Sequence, residues 1–185
     1  ALHLINHFAV VLGIGHHLSL QSVLRQFYRQ LIVEVALIGL FTAQILLGIA
    51  LVFKRGRPSG GWAWAQVVSG LYLAFFLVQH LAAVILARSG GLDTNSYFAA
   101  AVVSRPPFVY YFAAYYGLAI TALFMHVSAA FRFRVWPDPA KRWHFALPFL
   151  GALIGSLIVL GFMGQFSPFE LPAPYLDYLN QFSAE

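Results

Sequence analysis

The chemistry this sequence can do rests on a few polar side chains set in long apolar runs. His80 stands near the centre of SGLYLAFFLVQHLAAVILARSG (69–90), with no charged residue between Ser69 and Ala87. His126 has the same setting in the run 107–131, and His16 and His17 close the stretch GIGHH (13–17). Glu34 is the only acid inside such a run. An imidazole withdrawn from water loses several kcal/mol of hydration unless something pairs with it. In that setting a neutral imidazole ties helices together, passes a proton, or gives a lone pair to a metal. A carboxylate there is an ion-pair partner or a proton acceptor.

The composition says what must hold these groups. Of 185 residues, 61% are hydrophobic and only 9% charged, far below the usual quarter, so the chain reads as an all-α integral membrane protein. It has no cysteine, which excludes disulfides, iron–sulfur ligation, thiolate haem ligation and cysteine catalysis within it. The net charge of +5 is carried by short loops between apolar runs, so it points to membrane topology and not to nucleic acid.

Five stretches reach the ~20 residues needed to cross a bilayer. They lie at about 1–22, 31–53, 66–87, 107–131 and 145–166, and predict one transmembrane domain over 1–185: a bundle of five helices, or four if the first segment lies at the interface. Lys54, Arg55, Arg57, Arg132, Arg134, Lys141 and Arg142 fall on one side. Arg25, Arg29, Arg88, Arg105, Asp93 and the acidic tail fall on the other. The positive-inside rule then expects a cell inner-membrane protein with its N-terminus in the cytoplasm and its C-terminus outside.

Alternating helix direction converts sequence position into depth at ~1.5 Å per residue. His16 and His17 share the outer half with His80, whereas His126 lies roughly 15 Å deeper by the same rise. His80 and His126 therefore cannot meet at one metal. His80 with His16 or His17 is a pair suited to hold a b-type haem between opposed helices. Gly13 and Ser69 leave room for a macrocycle, and Leu73, Phe76 and Leu77 wall it. Arg25, Arg29 and Arg88 at the outer surface are candidate partners for its propionates. Glu34, one turn inside the outer end, is the candidate proton acceptor for a quinol oxidised there.

The stretch WAWAQVVSGLYLAFFLVQHL (62–81) resembles the cytochrome b membrane anchor of succinate dehydrogenases and quinol:fumarate reductases, the single-subunit five-helix type. The likeness lies in an aromatic start, a Ser-Gly pair and a histidine about ten residues on, and GIGHH is similar to that family's first-helix histidine stretch. The resemblance implies that these two helices carry the ligands of an outer haem. It also implies that PPFVYYFAAYYGLAITALFMHVSAAFRFR (106–134) gives His126 to an inner one. Gln44 stands where the family pattern has the partner histidine, so the inner site is expected to be empty, singly ligated, or completed by His7 or, less well, His3. One or two haems b per chain are therefore expected.

The expected function is electron transfer between a membrane quinone and a partner, with the chain as a non-catalytic or quinone-reactive subunit of an oxidoreductase. By resemblance the partner is a flavoprotein and iron–sulfur pair acting on succinate or fumarate. It would dock at the basic, Trp-containing loops 54–65 and 132–144, since the chain opens directly in an apolar run without a leader. The alternative is a free-standing haem-binding or structural membrane protein, homo-oligomeric and surrounded by lipid, with no dehydrogenase. A transporter is disfavoured by the scarcity of charge inside the spans and by the lack of a sequence-evident helix break.

Overall fold

The computed structural model describes residues 2–135 and 145–183. The loop residues Trp136, Lys141, Arg142, Trp143 and His144, with part of the proposed docking loop 132–144, lie outside them. Among the described residues every regular element is helical. Three helices are long and apolar enough to cross a membrane: α3 (Leu31–Arg55), α4 (Gly61–Ser89) and α6 (Phe108–Arg134). A shorter apolar helix, α7 (Ala146–Phe162), packs along α6.

Small residues set how closely these helices approach. A Cβ added to Gly155 of α7 would lie 2.8 Å from the Gly117 carbonyl oxygen of α6, and one on Gly151 would lie 2.6 Å from Phe124. This is close packing through small residues spaced by four, the contact that lipid favours because apolar side chains gain little by leaving it. On the other side of α6, tyrosines replace glycines. The Tyr72 hydroxyl donates to the Tyr115 carbonyl at 3.0 Å, and the Tyr115 hydroxyl to the Phe76 carbonyl at 2.8 Å. α6 is thus the spine, held by α4 and α7. α3 stands apart, with no buried residue and only sparse contact with α4 and α2.

The first apolar segment is not one continuous helix over 1–22. It forms α1 (Leu2–Phe8), a 3₁₀ turn (Ala9–Leu12) and α2 (Ile14–Tyr28), broken at Gly13, whose φ of 123° suits only glycine. The chain reverses there, so residues ten apart, His7 and His17, touch. A Cβ on Gly161, at the end of α7, would meet Val10 at 2.7 Å, which seats the 3₁₀ turn on that helix end. The segment therefore stays at one end of the bundle and does not form the continuous spanning helix expected over 1–22.

That end carries the main core. α5 (Ser96–Ser104) begins at Asn95, whose side chain accepts from the Tyr97 amide at 2.9 Å, a capping bond that starts the helix after the loop. Its Ala100, Ala101, Val102 and Val103 are buried against Val10, Ile14, Ile158 and Phe162, and α8 (Ala173–Ser183) covers them with Tyr175 and Leu179. Arg25 and Arg29, at the end of α2, clasp Asp93 at 2.8 and 3.2 Å and tie this cap to the α4–α5 loop. Lys54, Arg55, Arg132 and Arg134 lie at the far end, on the last turns of α3 and α6.

Two consequences are measurable. Gly155→Ala is expected to cost about 1–3 kcal/mol by overpacking against backbone that cannot move aside, read as a lower thermal midpoint in detergent; an unchanged midpoint would contradict the close contact. Burial alone would raise Asp93, but hydrogen bonds and charges from Arg25 and then Arg29 hold its carboxyl below the usual 3.8. A depressed folded value means that the clasp stabilises fully above about 3.8 and fades as pH falls through the lower folded value. Asp93→Asn should flatten that acid limb of a stability-against-pH curve.

Candidate functional site

The expected site residues fall into two groups at different depths. At the end of the bundle that carries α5 and α8, α1 and α2 bring three imidazoles into a row. Asn6 Nδ2 donates to His17 Nε2 at 3.4 Å, which makes that nitrogen an acceptor. His7 Nδ1 then donates to the same atom at 3.0 Å, and His3 Nε2 donates to His7 Nε2 at 3.0 Å. His17 Nδ1 in turn donates to Ser96 Oγ, whose hydroxyl points to Gln21 Oε1 at 3.5 Å. Each neutral imidazole in this row has its one N–H spent, so the tautomers are fixed in sequence and His3 Nδ1 is left with a lone pair. Phe162 lies edge-on to both His7 and His17 and closes the row on its apolar side.

His80 of α4 sits at the inner end of this row. Its ring stacks on Phe76 at 5.3 Å between centroids and lies 6.1 Å from the His3 ring. It makes no hydrogen bond to a described residue. The sequence expectation paired His80 with His16 or His17, and the structure brings neither to it. His17 is wholly buried with both nitrogens engaged, while His16 is exposed on the neighbouring face beside Gly13 and Ser167. The reversal at Gly13 is the cause: it turns α2 away and hands the place opposite His80 to His3. Gly13 itself is buried, and its positive φ makes the turn.

The inner group is His126 on α6. Ser69 Oγ donates to the Ala65 carbonyl at 2.6 Å, so it accepts from His126 Nδ1 at 3.2 Å; the same N–H also reaches the Gln66 carbonyl at 3.1 Å. Nε2 is therefore the lone-pair nitrogen, and it makes no hydrogen bond to a described residue. A Cβ on Gly70 would stand 3.0 Å from the ring, so glycine there lets the imidazole lie flat against α4. Ser69 thus holds the histidine from α4. His7, offered as a partner for His126, belongs to the outer row, and so does His3. Gln44 is exposed on α3 and does not join His126.

The arginines expected to face propionates are engaged within the chain. Arg25 and Arg29 hold Asp93, and Arg88 pairs with Glu34 at 2.5 Å across α3 and α4. Glu34 is thus ion-paired near the end of the bundle that carries Asp93. One Arg25 nitrogen, Nη2, and the buried Asn6 Oδ1 have no hydrogen-bond partner, the two unsatisfied buried side-chain atoms among the described residues. At the inner end α4, α6 and α7 enclose an apolar groove of about 480 Å³ lined by Trp62, Ala65, Thr121, Met125, Phe145 and Phe149.

No group of three or more His, Asp or Glu side chains among the described residues could hold a bare metal ion. One or two imidazoles suffice only where a macrocycle supplies the other ligands. No family model, curated protein or solved structure matches the chain.

Sequence reasoning missed His3, Asn6, Ser96 and Gln21 as parts of one network. The spacing of His3 and His7, one helical turn apart, was the legible signal. The Ser96 contact, 79 positions from His17, was not legible. Ser96→Ala should leave the buried His17 Nδ1–H without an acceptor and cost about 1–3 kcal/mol. Amide exchange should rise along 14–28 before the spans are affected; equal protection in both proteins would mean that the row does not seat α2.

Proposed function

We propose that the chain is a haem b-binding, transmembrane electron-transfer subunit that exchanges electrons with a membrane quinone. The observation that carries this reading is His126: one nitrogen is anchored to α4 by Ser69 and the Gln66 carbonyl, and the other is presented unbonded inside an apolar span. A ligand imidazole is normally oriented in this way, because donating its second N–H to a carbonyl fixes the tautomer and strengthens the lone pair. His80 adds a second imidazole with no hydrogen bond. Two metal–nitrogen bonds of ~2 Å plus two ring radii put ligand centroids roughly 6 Å apart, close to the 6.1 Å between His3 and His80. The donor set fits haem b, with His3 and His80 as the outer pair and His126 alone at the inner site.

Haem b, when bound, supplies a one-electron couple. The protein's residues do the rest. His7, His17 and Ser96 hold His3 in one tautomer, Phe76 keeps His80 in its plane, and Gly70 allows His126 its fixed orientation. The inner groove, of the size and apolar lining that small-molecule sites have, is the proposed quinone site, since Met125 adjoins His126 and Thr121 lies five residues before it on α6. Glu34 lies with Arg88, roughly 40 Å of helix away from the groove by the rise of α4, so a proton-acceptor role for it would serve the outer end alone.

In this reading α3, α4, α6 and α7 are four spans, the basic ends of α3 and α6 face the cytoplasm, and the histidine row lies in the outer leaflet of a cell membrane. A flavoprotein and iron–sulfur partner of the succinate dehydrogenase or fumarate reductase kind would meet the basic end. The free-standing haem protein is the second reading, favoured by the largely uncovered α3.

The test is haem per chain in the detergent-purified protein, measured from reduced-minus-oxidised optical spectra. His80→Ala and His126→Ala should each remove about one haem, and His16→Ala none. A folded, monodisperse protein without haem, grown with haem in excess, would overturn the reading. Co-purifying flavin and iron–sulfur subunits would decide between the two versions of it.

A further inference from the structure

α3 is the one spanning helix that the fold leaves largely uncovered. Its half-buried Val33, Glu34, Leu37, Ile38, Ile45 and Val52 mark the side turned to α4 and α2. At 100° per residue, the uncovered side carries two exposed series spaced by seven: Leu40 and Leu47, and Ala36, Ala43 and Ala50. Contact with lipid selects for apolar residues but not for a period. A seven-residue repeat of large and small apolar residues is instead the seam of two helices wound left-handed about each other, and alanine lets their backbones close up.

Gln44 is a separate observation that points the same way. Its carboxamide lies at mid-span, is exposed, and bonds to no described residue. Left in hydrocarbon, such a group costs a few kcal/mol. It flanks the seam, and Gly39 flanks the other edge five residues earlier, with nothing within 4 Å of an ideal Cβ. In a parallel helix pair, side chains with that five-residue offset face each other across the seam. Gln44 of one copy would then lie over Gly39 of the other, where backbone is within reach of the amide, and a two-fold axis makes the contact twice.

We propose that α3 is the interface of a homodimer, in which two parallel copies pack through the Leu40/Leu47 and Ala36/Ala43/Ala50 seam and Gln44 supplies an intramembrane hydrogen bond. A second copy is the occupant because one sequence supplies both the amide and the opening that accepts it. Copies inserted in the same direction also bring the two to matching depth. The proposal does not depend on haem.

The absence of cysteine makes the test clean. Single-cysteine variants in liposomes, oxidised with copper phenanthroline, should give disulfide dimers from Ala43→Cys. Thr42→Cys, at the same depth but off the seam, should give none. Light scattering in mild detergent should show a dimer that Ala43→Phe converts to monomer, and Gln44→Leu should weaken association about tenfold. Equal cross-linking from Thr42→Cys, or a wild-type monomer in both detergent and lipid, would overturn the proposal. Protection of Ala43→Cys from maleimide without self-cross-linking would give the seam to a different protein's helix and overturn it as well.

Discussion

Hydrocarbon offers no hydrogen bonds, so every polar side chain inside a span must find its partner within the protein or pay for lacking one. The bond from His126 to Ser69 and the Gln66 carbonyl satisfies half of an imidazole in this way and leaves the other half free. It requires the ring to lie against Gly70, and so it fixes the register of α6 on α4. The tyrosine hydroxyls bonded to the carbonyls of Tyr115 and Phe76 continue the same register toward the outer end, where Phe76 stacks on His80. α7 completes the spine from the other side through its glycines.

The cap formed by α1, α2, α5 and α8 applies the same constraint with different parts. His17 could not be wholly buried without Ser96 on one nitrogen and His7 on the other. That pairing requires the chain to reverse at Gly13, which places α1 against the end of α7 and His3 beside His80. The Arg25–Asp93–Arg29 clasp then holds the far end of α2 to the α4–α5 loop. The main apolar core lies beneath this cap, and the spans show most of their large side chains to the outside.

Much of this was legible in the sequence. Hydropathy located α3, α4 and α6 within a few residues, because long uncharged runs bounded by arginine, glycine and proline leave little choice. The separation of His80 from His126 by depth followed from helical rise alone. The break at Gly13 was not legible: an apolar segment has the same hydropathy whether it runs straight or folds back. That one turn moved His16 and His17 off His80 and put His3 there. α5 and α8 were read as loop and tail because short helices under a cap are made by tertiary burial and not by their own periodicity. Gln44 stands where the resembled pattern has a histidine, and the structure leaves it exposed on α3, apart from His126.

If haem b is bound as proposed, each span histidine offers it a free nitrogen, and the two differ in what stands opposite among the described residues: an imidazole at His80, none at His126. Low-temperature electron paramagnetic resonance of the oxidised, haem-loaded protein separates these states. The account predicts a low-spin signal lost in His80→Ala or His3→Ala, and a high-spin signal lost in His126→Ala. Two low-spin signals that survive His3→Ala, or spectra unchanged by both span substitutions, would contradict it.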